Sequence, residues 1–176
     1  MGKNSNLRRK MDSQSGLTLV ELLITILLIT LAGGVIVATI DLATKQFQEL
    51  TQDSDAQLLC SALSLYVQNE LTYAGDVRTV NGQVTFTDHA RNLGTGCYFD
   101  TKDGRLVVHY GGSEYEAVGT GTYGGTRSHK KLAETHTVTY EGGVATVTIE
   151  VRAAGETRVL ASNTFLVRPI APGTAA

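Results

Sequence analysis

The sequence contains no tryptophan, only two prolines and only two cysteines among its 176 residues. So little proline excludes a proline-rich linker protein. Common enzyme signatures are also missing, since the chain has no Walker loop, no H-E-x-x-H and no C-x-x-C. We therefore predict a protein that is not an enzyme and has no catalytic site, no metal site and no cofactor.

The charge balance gives no indication of a nucleic-acid partner. The formal net charge is -2 and the isoelectric point is about 6.1, whereas nucleic-acid binding usually requires a strongly basic surface. One basic cluster, residues 127–131, is interpreted as a solvated loop. The four histidines are scattered and are interpreted as ordinary strand or loop positions: His89, His109, His129 and His136.

A mean hydropathy of -0.01 hides two very different parts of the chain. From Leu22 to Ile40 there are 19 consecutive residues without a charge, and about 20 apolar residues suffice to cross a membrane as a helix. A buried core helix of this length is unusual. We therefore predict a transmembrane helix over residues 17–40.

The charges on either side of this run indicate its orientation. Before it, the basic residues outnumber a single acidic one: Lys3, Arg8, Arg9 and Lys10 against Asp12. After it the charges are mostly acidic: Asp41, Lys45, Glu49, Asp53 and Asp55. The positive-inside rule then places the amino terminus in the cytoplasm and the carboxyl-terminal domain outside. A cleaved secretory signal fits poorly, because the run is too long and no A-x-A pattern follows it.

Residues 15–26 read SGLTLVELLITI, and they contain a carboxylate, Glu21, at the start of the membrane segment. A carboxylate at the bilayer centre costs roughly 2.5 to 3.5 kcal/mol on insertion scales. Gly16 lies directly before the apolar run, and Thr18 is the second residue of that run. With these residues and Glu21, the stretch resembles the amino terminus of type IV prepilins and type II secretion pseudopilins. The resemblance covers residues 10 to about 40, less than a quarter of the chain.

The resemblance implies a specific maturation and a set of partners. A prepilin peptidase cuts between Gly16 and Leu17, removes the basic leader (residues 1–16) and methylates the new amino terminus of Leu17. Thr18 and Glu21 are implied in assembly, with Glu21 paired to a Leu17 ammonium of its own or a neighbouring subunit. The implied partners are the peptidase, other pilin or pseudopilin subunits, an inner-membrane assembly platform and membrane lipid.

Two departures from the family pattern fall in the same stretch. The first mature residue is Leu17, where phenylalanine or methionine is commoner, and Ala38 stands where major pilins typically have a mid-helix proline. We hypothesise that Gly33 and Gly34 supply local flexibility instead. These departures favour a minor pilin or a pseudopilin over a major pilin.

Residues 41–75 are expected to continue the helix as a stalk and docking segment. Residues 41–73 contain neither glycine nor proline, and 41–57 are polar enough to face solvent or other subunits. From about Leu58, apolar residues recur at helical spacing, which predicts docking on a globular domain. Gly75 is expected to cap the helix.

Beyond the helix the pattern is typical of β-strands. Hairpins are predicted at Asn81-Gly82, Asp103-Gly104 and Gly142-Gly143, with TRVLA and NTFLVRP as edge strands. Residues 144–151 alternate in polarity, so one face of that strand should be buried. The Gly-rich stretch 111–131 is expected to be a loop. The predicted fold class is α+β and type IV pilin-like: a long amino-terminal helix packed against an antiparallel β-sheet domain (76–170), with a flexible tail (171–176).

Cys60 on the docking helix and Cys97 at the start of a predicted strand admit two interpretations. They form either a disulfide between helix and sheet, worth roughly 3 to 4 kcal/mol on the loop-entropy model, or two separate buried thiols. The sequence does not choose between these alternatives.

The sequence is compatible with two classes of function. The first is a structural subunit of a type IV pilus-like or type II secretion-like filament, assembled through its amino-terminal helix. The second is a bitopic, membrane-anchored surface binding protein that never polymerises. Within the first class, pili, DNA-uptake machines and secretion machines share the same amino-terminal pattern.

Overall fold

The computed structural model describes residues 19–88, 94–124 and 131–170. Within these ranges a long helix, α1 (Leu19–Thr72), precedes eight strands and a short 3-10 helix, Thr120–Thr122. The strands are β1 (Ala74–Val80), β2 (Gln83–Asp88), β3 (Gly94–Lys102), β4 (Arg105–Tyr110), β5 (Ser113–Glu116), β6 (Leu132–Glu141), β7 (Val144–Ala153) and β8 (Val159–Val167).

The chain divides into two compact units, 1–46 and 47–176. The described part of the first unit is the amino-terminal portion of α1, and all of its residues are exposed. The second unit contains the remainder of α1 and all eight strands. It therefore holds the hydrophobic core.

The strands of the second unit form two antiparallel sheets. One has the order β1-β2-β3-β4-β5 and the other the order β6-β7-β8, and α1 packs against both through a shared core. The predicted α+β architecture is thus confirmed, although two sheets stand where one was expected. In β7 every second residue is buried, from Ala145 to Ala153, as the alternation of polarity predicts.

The three predicted hairpin turns are present, and each has left-handed backbone geometry. The central residues have positive φ in all three: Asn81 (52°) and Gly82 (81°), Asp103 (52°) and Gly104 (72°), Gly142 (58°) and Gly143 (82°). Two consecutive residues with positive φ match the right-handed twist of the flanking strands. Gly104 has a second reason to lack a side chain, because a Cβ there would lie 2.7 Å from Cβ of Ala133.

Three expectations about the strands and the helix end are wrong. α1 ends at Thr72, and Gly75 belongs to β1, where Asp76 has positive φ (46°) and the register with β2 shifts. The expected loop 111–131 contains β5, because Gly111 and Gly112 form a turn that returns the chain onto β4. The two expected edge strands are one continuous strand, β8.

One face of α1 is buried in the second unit. Its residues recur once per turn, singly or as an adjacent pair, as one side of a helix requires: Ala56, Leu59, Cys60, Leu63, Ser64, Val67 and Leu71. Docking therefore begins at Ala56, two residues before the predicted position. The hydroxyl of Ser64 accepts a hydrogen bond from Nδ2 of Asn163 on β8 (3.0 Å), which fixes the helix on the three-stranded sheet.

Two adjacent leucines of α1 should differ sharply in their contribution to stability. Leu59 is fully buried, whereas Leu58 is 67% exposed. We expect Leu59→Ala to lower the free energy of unfolding by about 2 to 5 kcal/mol, because it removes core contacts and leaves a cavity. Leu58→Ala should change it by no more than about 0.5 kcal/mol. Urea denaturation of the detergent-dispersed protein, followed by circular dichroism, measures both; equal losses would contradict the docking geometry.

Candidate assembly site at the amino-terminal helix

The residues implied in processing lie at the edge of the described chain. Gly16, Leu17 and Thr18 are outside the described residues, whereas Glu21 lies in the first turn of α1. The amino-terminal end of a helix carries partial positive charge, which favours a carboxylate there. Glu21 also provides the backbone carbonyl that accepts a hydrogen bond from Oγ1 of Thr25 (2.7 Å).

The segment that follows Glu21 is apolar on every side. Between Leu22 and Ile40 each large hydrophobic side chain is at least half exposed. An 18-residue window of α1 has a mean hydropathy of 2.6 and none of it is buried. By length and composition, α1 is therefore able to span a membrane.

The hydroxyl groups of this segment are satisfied within the helix itself. Oγ1 of Thr25, Thr30, Thr39 and Thr44 each donates to the carbonyl oxygen four residues earlier, at 2.7 to 3.0 Å. A polar group without a partner costs several kcal/mol in hydrocarbon. Because these hydroxyls are already paired, the threonines do not oppose burial of the segment in an apolar phase.

α1 continues without a break through the two glycines of the apolar segment. Among the described residues, no atom apart from the adjoining residues and the helix's own backbone lies within 4 Å of the position that a Cβ would take at Gly33 or Gly34. Packing within this described part of the chain therefore does not require either glycine. Small residues at such positions allow the backbone of another helix to approach closely.

A second apolar surface lies on the part of α1 that belongs to the second unit, on the side opposite its buried face. We call the four residues that form it the outward stripe: Phe47, Leu50, Leu58 and Leu65, each between 61% and 70% exposed. Leu58 and Leu65 are seven residues apart, or about two turns, so they share one side of the helix. Sequence reasoning placed both leucines near the docking positions and missed that they face away from the core.

The two cysteines are separate buried thiols, so the structure realises the second of the two alternatives left open by the sequence. Sγ of Cys60 donates to the carbonyl oxygen of Ile149 (3.9 Å), and Sγ of Cys97 donates to that of Gly94 (3.5 Å). Burial raises the pKa of both thiols. Their reactivity towards alkylating reagents should therefore be low in the folded protein.

A buried carboxylate that sequence reasoning missed connects the two sheets. Oε1 of Glu134 on β6 accepts a hydrogen bond from Oγ1 of Thr101 on β3 (2.8 Å), and Glu134 is 1% exposed. Nδ1 of His136 lies 3.2 Å from that hydroxyl and 3.4 Å from Oε2 of Glu134. The one feature of the sequence that could have indicated this burial is the position of Glu134 on the inward side of its strand.

Within the described ranges, no cluster of three or more His, Cys, Asp or Glu side chains is able to hold a metal ion.

The stability of the second unit should fall at alkaline pH. Burial raises the pKa of Cys60, Cys97 and the Tyr123 hydroxyl. Above about pH 8.5, where a free thiol titrates, the unfolded chain releases protons that the folded chain still holds. The free energy of unfolding therefore decreases as pH rises. Urea denaturation at pH 7.5 and 9.5 tests this.

The matched control for this prediction removes the two thiols. The Cys60→Ala/Cys97→Ala variant loses the contribution of both cysteines and retains that of Tyr123, so its stability should decline less between the two pH values. A wild-type protein equally stable at pH 7.5 and 9.5 would contradict the burial of these groups.

Comparisons with known proteins found no match: no family model, no curated protein and no solved structure is significantly similar to this chain. The functional assignment therefore depends on the amino-terminal residues and on the geometry of α1.

Proposed function

We propose that this chain is a structural subunit, a minor pilin or a pseudopilin, of a type IV pilus-like or type II secretion-like filament. In this proposal a prepilin peptidase cleaves between Gly16 and Leu17, and the mature subunit assembles through α1. Before assembly the protein is a single-pass membrane protein with its amino terminus in the cytoplasm, as the basic leader indicates.

The observation that carries the proposal is the apolar segment of α1, none of which is buried, with Glu21 at its start. An apolar surface of this extent is unfavourable in water, so it needs lipid or other apolar helices around it. A filament subunit uses both environments in turn. The paired threonine hydroxyls fit this use, because they need no partner from either environment.

Glu21 explains why a membrane segment would retain a carboxylate. Cleavage after Gly16 creates an ammonium group at Leu17, four residues before Glu21 and thus one helical turn away. An unpaired charge in an apolar interior is very costly, whereas an ion pair offsets much of that cost. A pairing between Glu21 of one subunit and Leu17 of another would fix the axial position of each subunit as it leaves the membrane.

The outward stripe supports contacts that continue beyond the membrane segment. None of its four side chains belongs to the core cluster, and Leu58 and Leu65 are each more than 60% exposed. Regularly spaced apolar residues on the free side of a helix are typical of a surface that packs on another helix. We infer that this stripe adds subunit contacts next to the domain.

The chemical form of the mature amino terminus tests the processing step. Mass spectrometry of protein from cells that contain a prepilin peptidase should identify a chain that begins with N-methyl-Leu17. Deletion of the peptidase should restore the full leader. An intact leader in normal cells, or cleavage after residue 40, would instead support the membrane-anchored surface protein that does not polymerise.

A conservative substitution of Glu21 tests the role of its charge in assembly. Glu21→Gln keeps the size of the side chain and leaves the Leu17 ammonium unpaired, so incorporation into filaments should fall by at least about tenfold. Glu49→Gln removes an exposed carboxylate from the same helix and should have no effect. Quantitative immunoblotting of sheared filaments against total cell protein gives both values. Normal incorporation of the Glu21→Gln subunit would contradict the pairing.

A further inference from the structure

No other described strand pairs with the outer edge of β8, the edge that faces away from β7. β8 is the terminal strand of its sheet and pairs with β7 along almost its entire length, from Arg152↔Val159 to Ala145↔Val167. In an antiparallel pair, alternate residues direct their N–H and C=O groups away from the partner strand. β8 thus presents a row of backbone donors and acceptors on its second edge.

The other three sheet edges are protected in ways that β8 is not. β5 is only four residues long, and its two glutamates are held by ion pairs with Lys102 and Arg105. β1 carries charged residues and a register shift near Asp76. β6 is anchored by a backbone hydrogen bond from Glu134 to the carbonyl oxygen of Gly104 (2.8 Å). Short length, charge, irregularity and cover are the usual protections of sheet edges.

β8 has only one of these protections, a register shift near its start, where Val151 of β7 pairs with Ala161 and Arg152 pairs with Val159. Its sequence, VLASNTFLV, is nine residues long without a charge or a proline. Ser162, Asn163 and Thr164 are all exposed, and Leu166 is 68% exposed beyond them. A long, uncharged and exposed edge favours the addition of another strand.

The charges at the two ends of β8 restrict which strand can add. Arg158 precedes the strand and Arg168 follows it, and both are exposed. Nη2 of Arg158 lies 4.0 Å from Oδ2 of Asp53 on α1, and the Arg158 side chain is still 71% exposed. Pairing of β8 with β8 of a second copy would bring arginines together at both ends in either orientation, and such like-charge pairs are destabilising. A strand with acidic residues at its ends would instead form an attractive pair at each end.

We propose that the β8 edge is a strand-addition site for an extended, uncharged segment of a partner protein that has acidic residues at both ends. Backbone hydrogen bonds along the edge supply the affinity, and Arg158 and Arg168 supply the selectivity. This site lies on the three-stranded sheet and does not require assembly through α1.

Two synthetic peptides test the proposal with the full-length protein in detergent micelles. Both have the same nine-residue core of alternating threonine and valine; one is flanked by glutamates and the other by lysines. We expect the glutamate-flanked peptide to bind about tenfold more tightly, because exposed attractive pairs replace repulsive ones at both ends. Hydrogen–deuterium exchange should then slow in residues 159–167. Equal affinity of the two peptides, or protection located elsewhere, would overturn the proposal.

Charge reversal at the ends of β8 provides the matched variants. Arg158→Glu/Arg168→Glu should invert the preference so that the lysine-flanked peptide binds more tightly. Arg78→Glu, an exposed arginine on β1, should leave the preference unchanged. Unfolding curves establish that each variant retains the fold. If the β8 amides become protected without peptide as protein concentration rises, the occupant is a second copy and the proposal is wrong.

Discussion

Burial of one face of α1 is the interaction on which the rest of the second unit depends. Leu63 belongs to one core cluster with Phe86 of the five-stranded sheet and Ile149 of the three-stranded sheet. A sheet with one apolar face must bury that face against another element, and α1 provides that element for both sheets. Each fully buried leucine contributes roughly 1.5 to 3 kcal/mol, so a few positions on this face determine whether the domain folds. The opposite face of the same helix is left free for other contacts.

Local chemistry explains which parts of the fold were predictable. The three hairpins follow from dipeptides such as Asn81-Gly82, whose preference for positive φ acts within a few residues. The membrane segment and its carboxylate likewise follow from a continuous stretch of sequence. β5 was missed because its four residues pair only after Gly111 and Gly112 turn the chain, and glycine-rich sequence looks the same in a loop and in such a turn.

Features that depend on distant residues were not predictable. Glu134 is buried because Thr101, 33 residues earlier, donates to it, and sequence spacing contains no information about that contact. The state of Cys60 and Cys97 depends in the same way on where the helix docks relative to β3. Leu58 and Leu65 differ from Leu59 and Leu63 only in the side of the helix on which they lie. A docking face shifted by one residue would bury a different set of leucines. For the candidate assembly site, the sequence therefore identified Glu21 and the apolar segment but missed the outward stripe.

The threonines of α1 bear on the transfer between apolar surroundings that the proposed function requires of this helix. Thr30 and Thr39 donate to carbonyl oxygens of the preceding turn, so the segment carries all of its hydroxyl partners with it. Transfer from lipid to the interior of a protein assembly exchanges one apolar contact for another and breaks no hydrogen bond. In the proposed filament subunit, Glu21 would therefore be the group of this segment whose environment changes most when the helix leaves the bilayer.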